Sequence, residues 1–385
     1  MLYQVATGLL SPDEIAAPLR SILSGQCNVE VLMDEVIGID SVNRLVRLKD
    51  RDVSYDFLIL ATGIHYNYFG HDEWRAIATP LESLEEADII RTQVLAALER
   101  AENLAASGEA DAEELRRQLT FVLVGGGTVG VEMAGTLAEM FHIALERDFR
   151  HIDLRTARIL LYEAGPSVLP TYRENLSTQA RRHLECLGVE VHVNTRVTAV
   201  DASGIVAGGQ KVPAATVVWG AGVVASHVVE WLGMTGDPFG RIVVGPDLSV
   251  PGHPEIFAIG DTAHVFASSR NLIGIRSRKP MVLPGVAQPA IQEGKYVSRL
   301  ILRRVKNRPA PPPFWYWHKG DLAIVGRTYA VADLRFARFW GFPAWFLWAG
   351  VHIYFLIGFA NRFFVLLQWA FAFLTKRWRG RVLDQ

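Results

Sequence analysis

The most constraining feature of this chain is a glycine-rich turn between a predicted strand and a predicted helix. Residues 119–124 form an unbroken apolar run, which is typical of a strand buried in a parallel sheet. Residues 131–138 follow the turn with helical patterning. Between them, Gly125, Gly127 and Gly130 fit the pattern G-x-G-x-x-G in the strand–turn–helix setting that the pattern requires. We therefore predict an α/β fold with a Rossmann-like dinucleotide-binding unit.

The three glycines have separate physical roles in such a unit. Gly125 permits the tight turn, Gly127 lets the backbone approach a pyrophosphate, and Gly130 allows the helix to pack closely on the strand. The N-terminus of the helix then offers amide donors and a partial positive charge to the phosphates. The alternative is an ordinary glycine turn of an α/β protein. The agreement of strand, turn and helix favours the nucleotide site.

A second predicted strand, residues 157–162, ends at Glu163. A carboxylate at this place accepts hydrogen bonds from the adenosine ribose and repels a 2′-phosphate, so the pattern favours NADH over NADPH. Glu163 lies 38 positions after Gly125, against a usual spacing of about 20, which predicts an insertion around residues 141–155. Two further strands of this sheet are predicted at residues 189–193 and 216–219.

The N-terminal part of the chain has the same mixed α/β character. An acidic, solvated helical region is predicted over residues 81–119. Short β-branched runs predict strands at residues 29–32, 36–40, 45–48 and 55–60.

Composition excludes several classes of function. Lysine and arginine number 39 against 40 aspartates and glutamates, a balance that argues against nucleic acid as a partner. The two cysteines, Cys27 and Cys186, are too few for a disulfide scaffold or a four-thiolate cluster, and we expect them to be small buried side chains. The histidines lack metal-ligand spacing, so no metal site is predicted. The N-terminus lacks the pattern of a signal peptide, which indicates a reducing, cytoplasmic setting.

After the proline-rich residues 309–313 the chain becomes dense in aromatic residues. Residues 339–361 carry no formally charged side chain, and His352 is their one histidine. The stretch is long enough to cross a core of about 30 Å, but glycines and a proline interrupt it. The alternatives are a pair of amphipathic helices in the membrane interface and a buried homodimer interface. Basic residues near the C-terminus would attract anionic headgroups: Lys376, Arg377, Arg379 and Arg381.

Several short segments in a fixed order span nearly the whole chain. Together they resemble the two-dinucleotide-binding-domain flavoproteins and, among them, the type II, non-proton-pumping NADH:quinone oxidoreductases. These segments are residues 2–8, 59–63, 125–130, 218–222, 256–261, 283–292, 318–320, 323–327 and 367–370.

The resemblance implies two Rossmann-like domains, the first incomplete, and a C-terminal amphipathic helical segment that binds the membrane. An FAD-binding domain is expected over residues 1–85 and 223–308, and an NADH-binding domain over residues 86–222. The remaining residues, 309–385, form the membrane-associated region. The family is held to the membrane by interfacial helices, so the interfacial alternative is favoured for this region.

The resemblance also implies roles for individual residues. The backbone at Thr62 and Gly63 passes close to the flavin, and Asp261 accepts a hydrogen bond from the ribityl chain. Matching segments place further backbone at the cofactor: Gly222, Gly260 and Ala287. A helix cap is the alternative for Asp261.

Four residues are expected to act in catalysis by the same resemblance. Glu132 lies near the nicotinamide, and Lys319 stabilises negative charge on the flavin and quinone. Gln288 and Gln292, one helical turn apart, lie beside the isoalloxazine at the quinone tunnel. The alternatives are a surface carboxylate, a surface lysine and two ordinary helix amides.

The chain departs from the family pattern in four places. Thr128 and Val129 replace Pro-Thr, and His318 replaces an aspartate. Glu293 replaces a second glutamine, at a place where it is expected to alter quinone affinity. The family also has a strand and a second G-x-G-x-x-G, which carries the FAD pyrophosphate, before the segment matching residues 2–4. A misplaced start codon is the favoured explanation, and a shortened, flavin-free protein is the alternative.

The expected function is hydride transfer from NADH to FAD and transfer of two electrons to a membrane quinone, without proton pumping. The alternative is a catalytically silent NADH-binding protein at the membrane. A sulfide:quinone reductase is disfavoured because Cys27 and Cys186 are isolated. The resemblance places the protein peripherally on the cytoplasmic face of the plasma membrane, with a quinone as its substrate. The oligomeric state, including a homodimer, stays undecided at this point.

Overall fold

The computed structural model describes residues 1–108, 111–145, 148–275, 277, 279–375 and 378. The basic residues predicted to attract headgroups lie outside the described residues: Lys376, Arg377, Arg379 and Arg381.

The described helices alternate with strands along most of the chain. They are α1 (Leu2–Ala6), α2 (Pro12–Ile15), α3 (Leu19–Leu23), α4 (Leu84–Ser107), α5 (Ala112–Gln118), α6 (Thr128–Glu139), α7 (Glu174–Cys186), α8 (Val228–Trp231), α9 (Ala287–Val305), α10 (Phe342–Phe355) and α11 (Phe359–Thr375). A π-helical turn, Met140–Ala144, continues α6, and 3₁₀ turns lie at Asp72–Ala76, Leu154–Thr156 and Gly260–Thr262.

The strands are short throughout. They are β1 (Val36–Asp40), β2 (Leu45–Leu48), β3 (Asp52–Ser54), β4 (Leu58–Leu60), β5 (Ile64–Tyr66), β6 (Ala78–Pro80), β7 (Thr120–Val124), β8 (Arg158–Tyr162), β9 (Val189–His192), β10 (Val197–Asp201), β11 (Gly204–Ala207), β12 (Gln210–Pro213), β13 (Thr216–Trp219), β14 (Val223–Ala225), β15 (Ile242–Val243), β16 (Ser249–Val250), β17 (His253–Ala258), β18 (Ala263–His264), β19 (Phe266–Arg270), β20 (Met281–Val282), β21 (Trp315–Trp317), β22 (Asp321–Ile324), β23 (Ala330–Asp333) and β24 (Arg338–Gly341).

A five-stranded parallel sheet forms the centre of the molecule, in the order β6-β13-β7-β8-β9. Every residue of β7 is buried, because helices α4 and α6 and other elements cover both faces of the sheet. The edge strand β6, residues 78–80, pairs with β13 in this sheet. It therefore lies outside the range predicted for the NADH-binding domain, which begins at residue 86. This arrangement is the dinucleotide-binding sheet that the glycine turn predicts, and the exact domain boundaries stay a prediction.

A second unit combines two distant segments of the chain. Strand β4 pairs in parallel with β17, so that Leu58 lies opposite Ile256. Helix α9 packs on this unit through Val297 and Leu300, and Phe257 is enclosed in the same core. Smaller sheets surround it, in the orders β1-β2-β3, β15-β18 and β20-β19-β21.

Two predicted strands differ from the structure. Residues 29–32 are not a strand, and both Val29 and Leu32 are exposed. A β-branched run forms a strand only where a neighbouring strand pairs with it, and none lies beside this segment. The strand predicted at residues 55–60 is confined to β4.

The C-terminal region consists of the antiparallel sheet β22-β23-β24, with α10 packed on it, and of α11. Residues 356–358 separate the two helices, and in the described part of the chain neither helix is long and apolar enough to cross a bilayer. Helix α11 returns to the N-terminal segment, where Trp369 Nε1 donates to Gln4 Oε1 at 3.1 Å. Large apolar side chains remain exposed on both helices, among them Phe346, Tyr354, Phe359 and Leu374.

Candidate active site

The glycine turn after β7 has the geometry that its sequence predicts. Gly125 has a φ of +108°, and a Cβ there would lie 2.5 Å from the carbonyl oxygen of Gly220. A Cβ on Gly130 would lie 1.9 Å from the carbonyl oxygen of Gly125, so only glycine lets α6 approach β7. A Cβ on Gly127, the N-cap of α6, would meet no atom within 4 Å. This open space borders the first turn of α6.

Glu163 stands where β8 ends, beside this turn. Its Oε2 accepts a hydrogen bond from the Gly126 amide at 2.6 Å, and its Oε1 accepts one from the Gly165 amide at 2.6 Å. The carboxylate therefore holds the turn in place. Each of its oxygens keeps a second lone pair with which it can accept from a ribose hydroxyl.

A cavity of about 800 Å³ begins at the glycine turn and extends to α10. Its walls come from the first turn of α6, from the turn and helix around Asp261 and α9, and from α10. Lining residues include Gly127, Thr128, Gly220, Asp261, Gly285, Ala287, Gln288, Gly320, Asp321, Val351, His352 and Phe355. The tertiary structure thus brings four segments of the predicted site to one space.

The N-terminal end of α9 forms one wall of this cavity. Gln288 lies in the first turn, and its Oε1 is buried with no hydrogen-bond partner among the described residues. A buried amide oxygen without a partner is costly, so this atom is a candidate ligand contact. A Cβ on Gly285 would lie 3.1 Å from Asp261 Oδ1, so glycine leaves room for that carboxylate. Burial raises the pKa of Asp261.

The two predicted catalytic glutamines have different surroundings. Gln292 Nε2 donates to the Trp317 carbonyl oxygen at 3.0 Å, and Gln292 Oε1 accepts from the Trp317 amide at 2.9 Å. Gln292 therefore ties α9 to β21, whereas Gln288 faces the cavity. The structure gives Gln292 a positioning role, and its predicted catalytic role has no support in these contacts.

Glu293, which replaces a glutamine of the family pattern, is turned away from the cavity. It is almost fully buried, and its Oε2 accepts a hydrogen bond from the Gly260 amide at 2.6 Å. Burial raises the pKa of Glu293 to about 7. The carboxyl group serves the turn that carries Asp261, and the expected effect of Glu293 on quinone affinity stays a prediction.

The segment at Thr62 and Gly63 is fastened to this same turn. The Gly63 amide donates to Thr262 Oγ1 at 2.9 Å, and the Thr62 hydroxyl lies 3.2 Å from Thr262 Oγ1 and contacts Ser226. Gly222 has a φ of +69°, and a Cβ there would clash with the Phe69 ring at 2.5 Å. These residues shape the backbone behind the cavity.

Glu132 lies one turn beyond the start of α6. Its Oε1 accepts a hydrogen bond from the Ile324 amide at 3.3 Å, next to Leu322 in the cavity wall. Burial raises the pKa of Glu132 to about 7. A carboxyl group with this pKa can take up or release a proton near neutral pH.

Lys319 lies at the rim, where the C-terminal region meets α9. Its Nζ is 5.6 Å from the centre of the Trp317 ring and 4.9 Å from the centre of the Phe355 ring. Burial lowers the pKa of Lys319, and Lys295 adds to the effect. The neighbouring residues Gly320 and Asp321 line the cavity.

His318, another departure from the family pattern, anchors this loop. The ring is buried, and Arg335 approaches its Nε2 to 2.9 Å while the Gly320 amide donates to its Nδ1 at 3.0 Å. Burial lowers the pKa of His318. Arg335 also donates to Asp321 Oδ2 at 3.1 Å. His318 thereby helps to hold the backbone that carries Lys319.

Sequence reasoning named His352 without assigning it to the site. It lines the cavity from α10, stacks on Trp348 and approaches the Trp348 carbonyl oxygen to 2.8 Å through Nδ1. Burial lowers the pKa of His352 to about 4. A lone histidine in a long apolar stretch was the available signal. Tyr172, which also lines the cavity, carried no signal of this kind.

The expectation for the cysteines is wrong. Cys27, in a turn after α3, and Cys186, the last residue of α7, are both exposed free thiols. Among the described residues, no three histidine, cysteine or acidic side chains are grouped so that they could hold a metal ion.

Comparison with known proteins identifies the family. The profile of the pyridine nucleotide-disulphide oxidoreductases matches residues 1–294. The chain is 38% identical to the type II NADH:quinone oxidoreductase Ndh of Mycobacterium tuberculosis over 401 aligned positions, which cover 100% of this chain and 82% of Ndh. It is 39% identical to NdhA of the same organism, with 99% of this chain and 80% of NdhA covered.

A solved structure supports the fold. The structure of NDH2 from Plasmodium falciparum in complex with NADH superposes with a TM-score of 0.83 at 20% identity, covering 100% of this chain and 92% of that one. Together with the sequence relatives, this places the chain in the pyridine nucleotide-disulphide oxidoreductase family and, within it, among the type II NADH:quinone oxidoreductases.

Proposed function

We propose that this protein oxidises NADH and reduces a membrane quinone by way of a bound FAD, without pumping protons. One observation carries the proposal: a single cavity of about 800 Å³ touches the glycine turn, the N-terminal end of α9 and the apolar helix α10. The proteins to which the chain is 38% and 39% identical are named type II NADH:quinone oxidoreductases. No observation favours the alternative of a catalytically silent NADH-binding protein.

The end of the cavity at α6 suits NADH. The turn at Gly125–Gly127 and the first amides of α6 bind the pyrophosphate, because they combine open backbone with the positive end of a helix. Glu163 fixes the turn and accepts from the ribose hydroxyls. Its charge disfavours a 2′-phosphate, which makes NADH the preferred nucleotide.

The residues around α9 fit the ring end of FAD. Gln288 Oε1 lacks a partner, Asp261 offers a carboxylate, and glycine at position 285 leaves room beside it. The N-terminal end of α9 places a partial positive charge where negative charge must be held. When bound, FAD supplies the chemistry that turns a two-electron hydride donor into a donor for quinone.

The end of the cavity at α10 suits an apolar substrate. Val351, Phe355 and Leu356 line it together with His352, so a quinone ring can enter between apolar side chains. Lys319 places a cation at the rim, where it can neutralise negative charge as the quinone is reduced. Glu132, whose expected place is beside the nicotinamide, has a pKa raised by burial to about 7 and can exchange a proton there.

The helices α10 and α11 are proposed to hold the protein peripherally on the cytoplasmic face of the plasma membrane. Phe346, Phe359 and Leu374 point away from the core, and large apolar side chains of this kind belong in the interfacial region of a bilayer. A homodimer through the same region is the competing use of these side chains.

The purified protein tests the proposal directly. We expect a yellow protein with the flavin absorption bands, which oxidises NADH when menadione is supplied and prefers NADH to NADPH. Flavin content is measured after heat release, and turnover is followed through the loss of NADH absorbance. A protein that binds no flavin, or that leaves NADH unoxidised with menadione, would contradict the proposal.

A further inference from the structure

An exposed aromatic surface lies on the small sheet beside α9. Successive residues of β19 and β21 alternate between the core and the surface, so that Ala267 and Tyr316 are buried. The outward residues are large: Phe266 is 63% exposed, Trp315 47% and Trp317 43%. Strand pairing places Ser268 opposite Trp315 and Arg270 opposite Trp317. We call Phe266, Trp315 and Trp317 the aromatic sheet face.

The turn that follows β19 continues this surface with apolar residues. Ile273 is 58% exposed and Ile275 61% exposed, and Leu272 beside them is also exposed. The turn is closed, because the Asn271 amide donates to the Ile275 carbonyl oxygen at 3.0 Å and Asn271 Oδ1 accepts from the Ile275 amide at 2.8 Å. A structured turn therefore presents these side chains to the surroundings, where water alone would disfavour them.

Helix α9 borders the aromatic sheet face with positive charge. Lys295, Arg299 and Arg303 recur every four residues, so they lie along one side of the helix. They have no ion-pair partner within the part of the chain that the structure describes. The acid of α9, Glu293, is buried. This side of the helix thus carries net positive charge.

The cations and the aromatic rings meet in one groove of about 260 Å³. Lys295 and Arg299 form one wall of it, and Trp315 and Trp317 form the other. The Arg270 guanidinium also lies 4.8 Å from the centre of the Trp315 ring. A groove of this composition suits an anionic group attached to an apolar body.

The aromatic sheet face is continuous with the C-terminal helices. The ammonium of Lys319 lies over the rings of both Trp317, in β21, and Phe355, in α10. The two rings therefore belong to one cluster. The turn at Leu272–Ile275 leaves the sheet at the same end, because Arg270 pairs with Trp317 there.

We propose that the aromatic sheet face, the turn at residues 272–275 and the cations of α9 form a second membrane contact that binds an anionic phospholipid bilayer. Tryptophan side chains favour the boundary between headgroups and acyl chains, the isoleucines enter the acyl region, and the cations pair with headgroup phosphates. The absence of exposed carboxylates on α9 and the continuity with α10 favour lipid over a protein partner. The inference rests on the proposed function in that the quinone is taken from the bilayer.

The contact supplements the C-terminal helices and fixes the tilt of the protein on the membrane. Anchorage through α10 and α11 alone would leave the molecule free to rock about that region. A second contact in the unit that carries α9 would hold the rim at Lys319 against the bilayer. The apolar route at Phe355 would then open directly into the acyl region.

Vesicle sedimentation of the full-length protein tests this proposal. The vesicles are phosphatidylcholine alone, or phosphatidylcholine with about one third phosphatidylglycerol to supply the negative surface that attracts basic residues. The turn variant is Ile273→Ser with Ile275→Ser, and the charge variant is Arg299→Glu with Arg303→Glu. Lys295 is left unchanged because it influences Lys319. Controls are Val42→Ser, at a still more exposed apolar residue on another hairpin, and Arg182→Glu with Lys211→Glu.

The charge variant should bind phosphatidylglycerol vesicles at least about tenfold more weakly than the wild type, since each cation near an anionic surface contributes about fivefold. Its binding to neutral vesicles should be unchanged. The turn variant should bind both kinds of vesicle about tenfold more weakly, because it loses apolar insertion. The two control proteins should bind like the wild type.

Binding of the turn and charge variants at the level of the controls would overturn the proposal. An equal loss on neutral and anionic vesicles by the charge variant would also contradict it, because headgroup charge would then have no part in the contact. Turnover of NADH with menadione in detergent is measured separately for every variant. It should equal that of the wild type, so a failure of the membrane contact is distinguishable from a failure of the proposed enzyme activity.

Discussion

The carboxylate of Glu163 accepts a hydrogen bond from the amide of Gly126 at 2.6 Å and so joins the end of β8 to the glycine turn after β7. A second bond, from the Gly165 amide, fixes the other carboxylate oxygen. The residue expected to bind the ribose therefore also shapes the turn that binds the pyrophosphate. A single side chain couples the two halves of the nucleotide site.

Glu163→Gln should weaken NADH binding strongly. The substitution replaces one acceptor oxygen by an NH₂ group that faces a backbone N–H, and it removes the negative charge. Loss of one charge-assisted hydrogen bond costs about 2 kcal/mol, which corresponds to a rise of about thirtyfold in KM for NADH. Glu190→Gln, on the neighbouring strand, removes a half-exposed pair with Arg158 and should leave this KM unchanged. Equal KM values for Glu163→Gln and the wild type would contradict the role.

Alanine substitutions at two glycines of the turn should affect thermal stability and NADH binding separately. Gly130→Ala puts a Cβ 1.9 Å from the Gly125 carbonyl oxygen, so α6 must move and the melting temperature should fall by several degrees. Gly127→Ala places its methyl group in open space and should melt like the wild type. It should nevertheless bind NADH at least about tenfold more weakly, because the methyl group occupies the place of the pyrophosphate. Thermal melts and NADH titrations measure the two effects, and equal NADH affinity in Gly127→Ala would show that the nucleotide does not use this turn.

The two glutamines of α9 should give opposite results on replacement by leucine. Gln288→Leu removes an oxygen without a protein partner, so stability should be retained while turnover with menadione falls at least about fivefold, the equivalent of one hydrogen bond. Gln292→Leu breaks both bonds to the Trp317 backbone and should destabilise the protein by about 2 kcal/mol. Melting curves and steady-state rates distinguish the cases. A wild-type rate of turnover for Gln288→Leu would show that Gln288 takes no part in the reaction.

Buried Glu139 should make stability depend on pH. Burial raises the pKa of Glu139 from 4.5 to about 7, so the folded protein keeps a proton there that the unfolded chain has released. The resulting stabilisation is complete below about pH 4.5 and is lost as the pH rises to about 7, with a total of about 3 kcal/mol.

Glu139→Gln carries no titrating group at this position, and its stability relative to the wild type should therefore increase between about pH 5 and about pH 8. The free energy of unfolding in urea measures the difference at each pH. Ionisation of Glu132 and of Glu293 contributes equally to the free energy of unfolding of both proteins, so these contributions cancel in the difference. Glu190→Gln is the control, because Arg158 lowers the pKa of Glu190 and its contribution is constant over this range. A flat difference for Glu139→Gln would mean that Glu139 ionises normally.

Local signals in the sequence were sufficient for some of these features. The strand, turn and helix around Gly125 are contiguous, so backbone sterics alone predict the dinucleotide-binding unit. Glycines also interrupt the C-terminal apolar stretch, and the structure separates α10 from α11 at one of them, Gly358, whereas Gly350 lies inside α10. By contrast, residues 29–32 have strand-forming side chains but no neighbouring strand, and pairing is not a local property.

Local patterns along the chain were enough to establish the chemistry of short segments: where glycines let the backbone turn, where a carboxylate follows a strand, and where apolar residues accumulate. Which of these side chains come together depends on how the chain folds. The tertiary structure turned Gln288 toward the cavity and Gln292 toward Trp317, buried Glu293 behind Gly260, and brought His352 opposite α9. The physical reason is that burial and hydrogen-bond partners come from residues distant in the chain, and spacing along the chain carries no record of them.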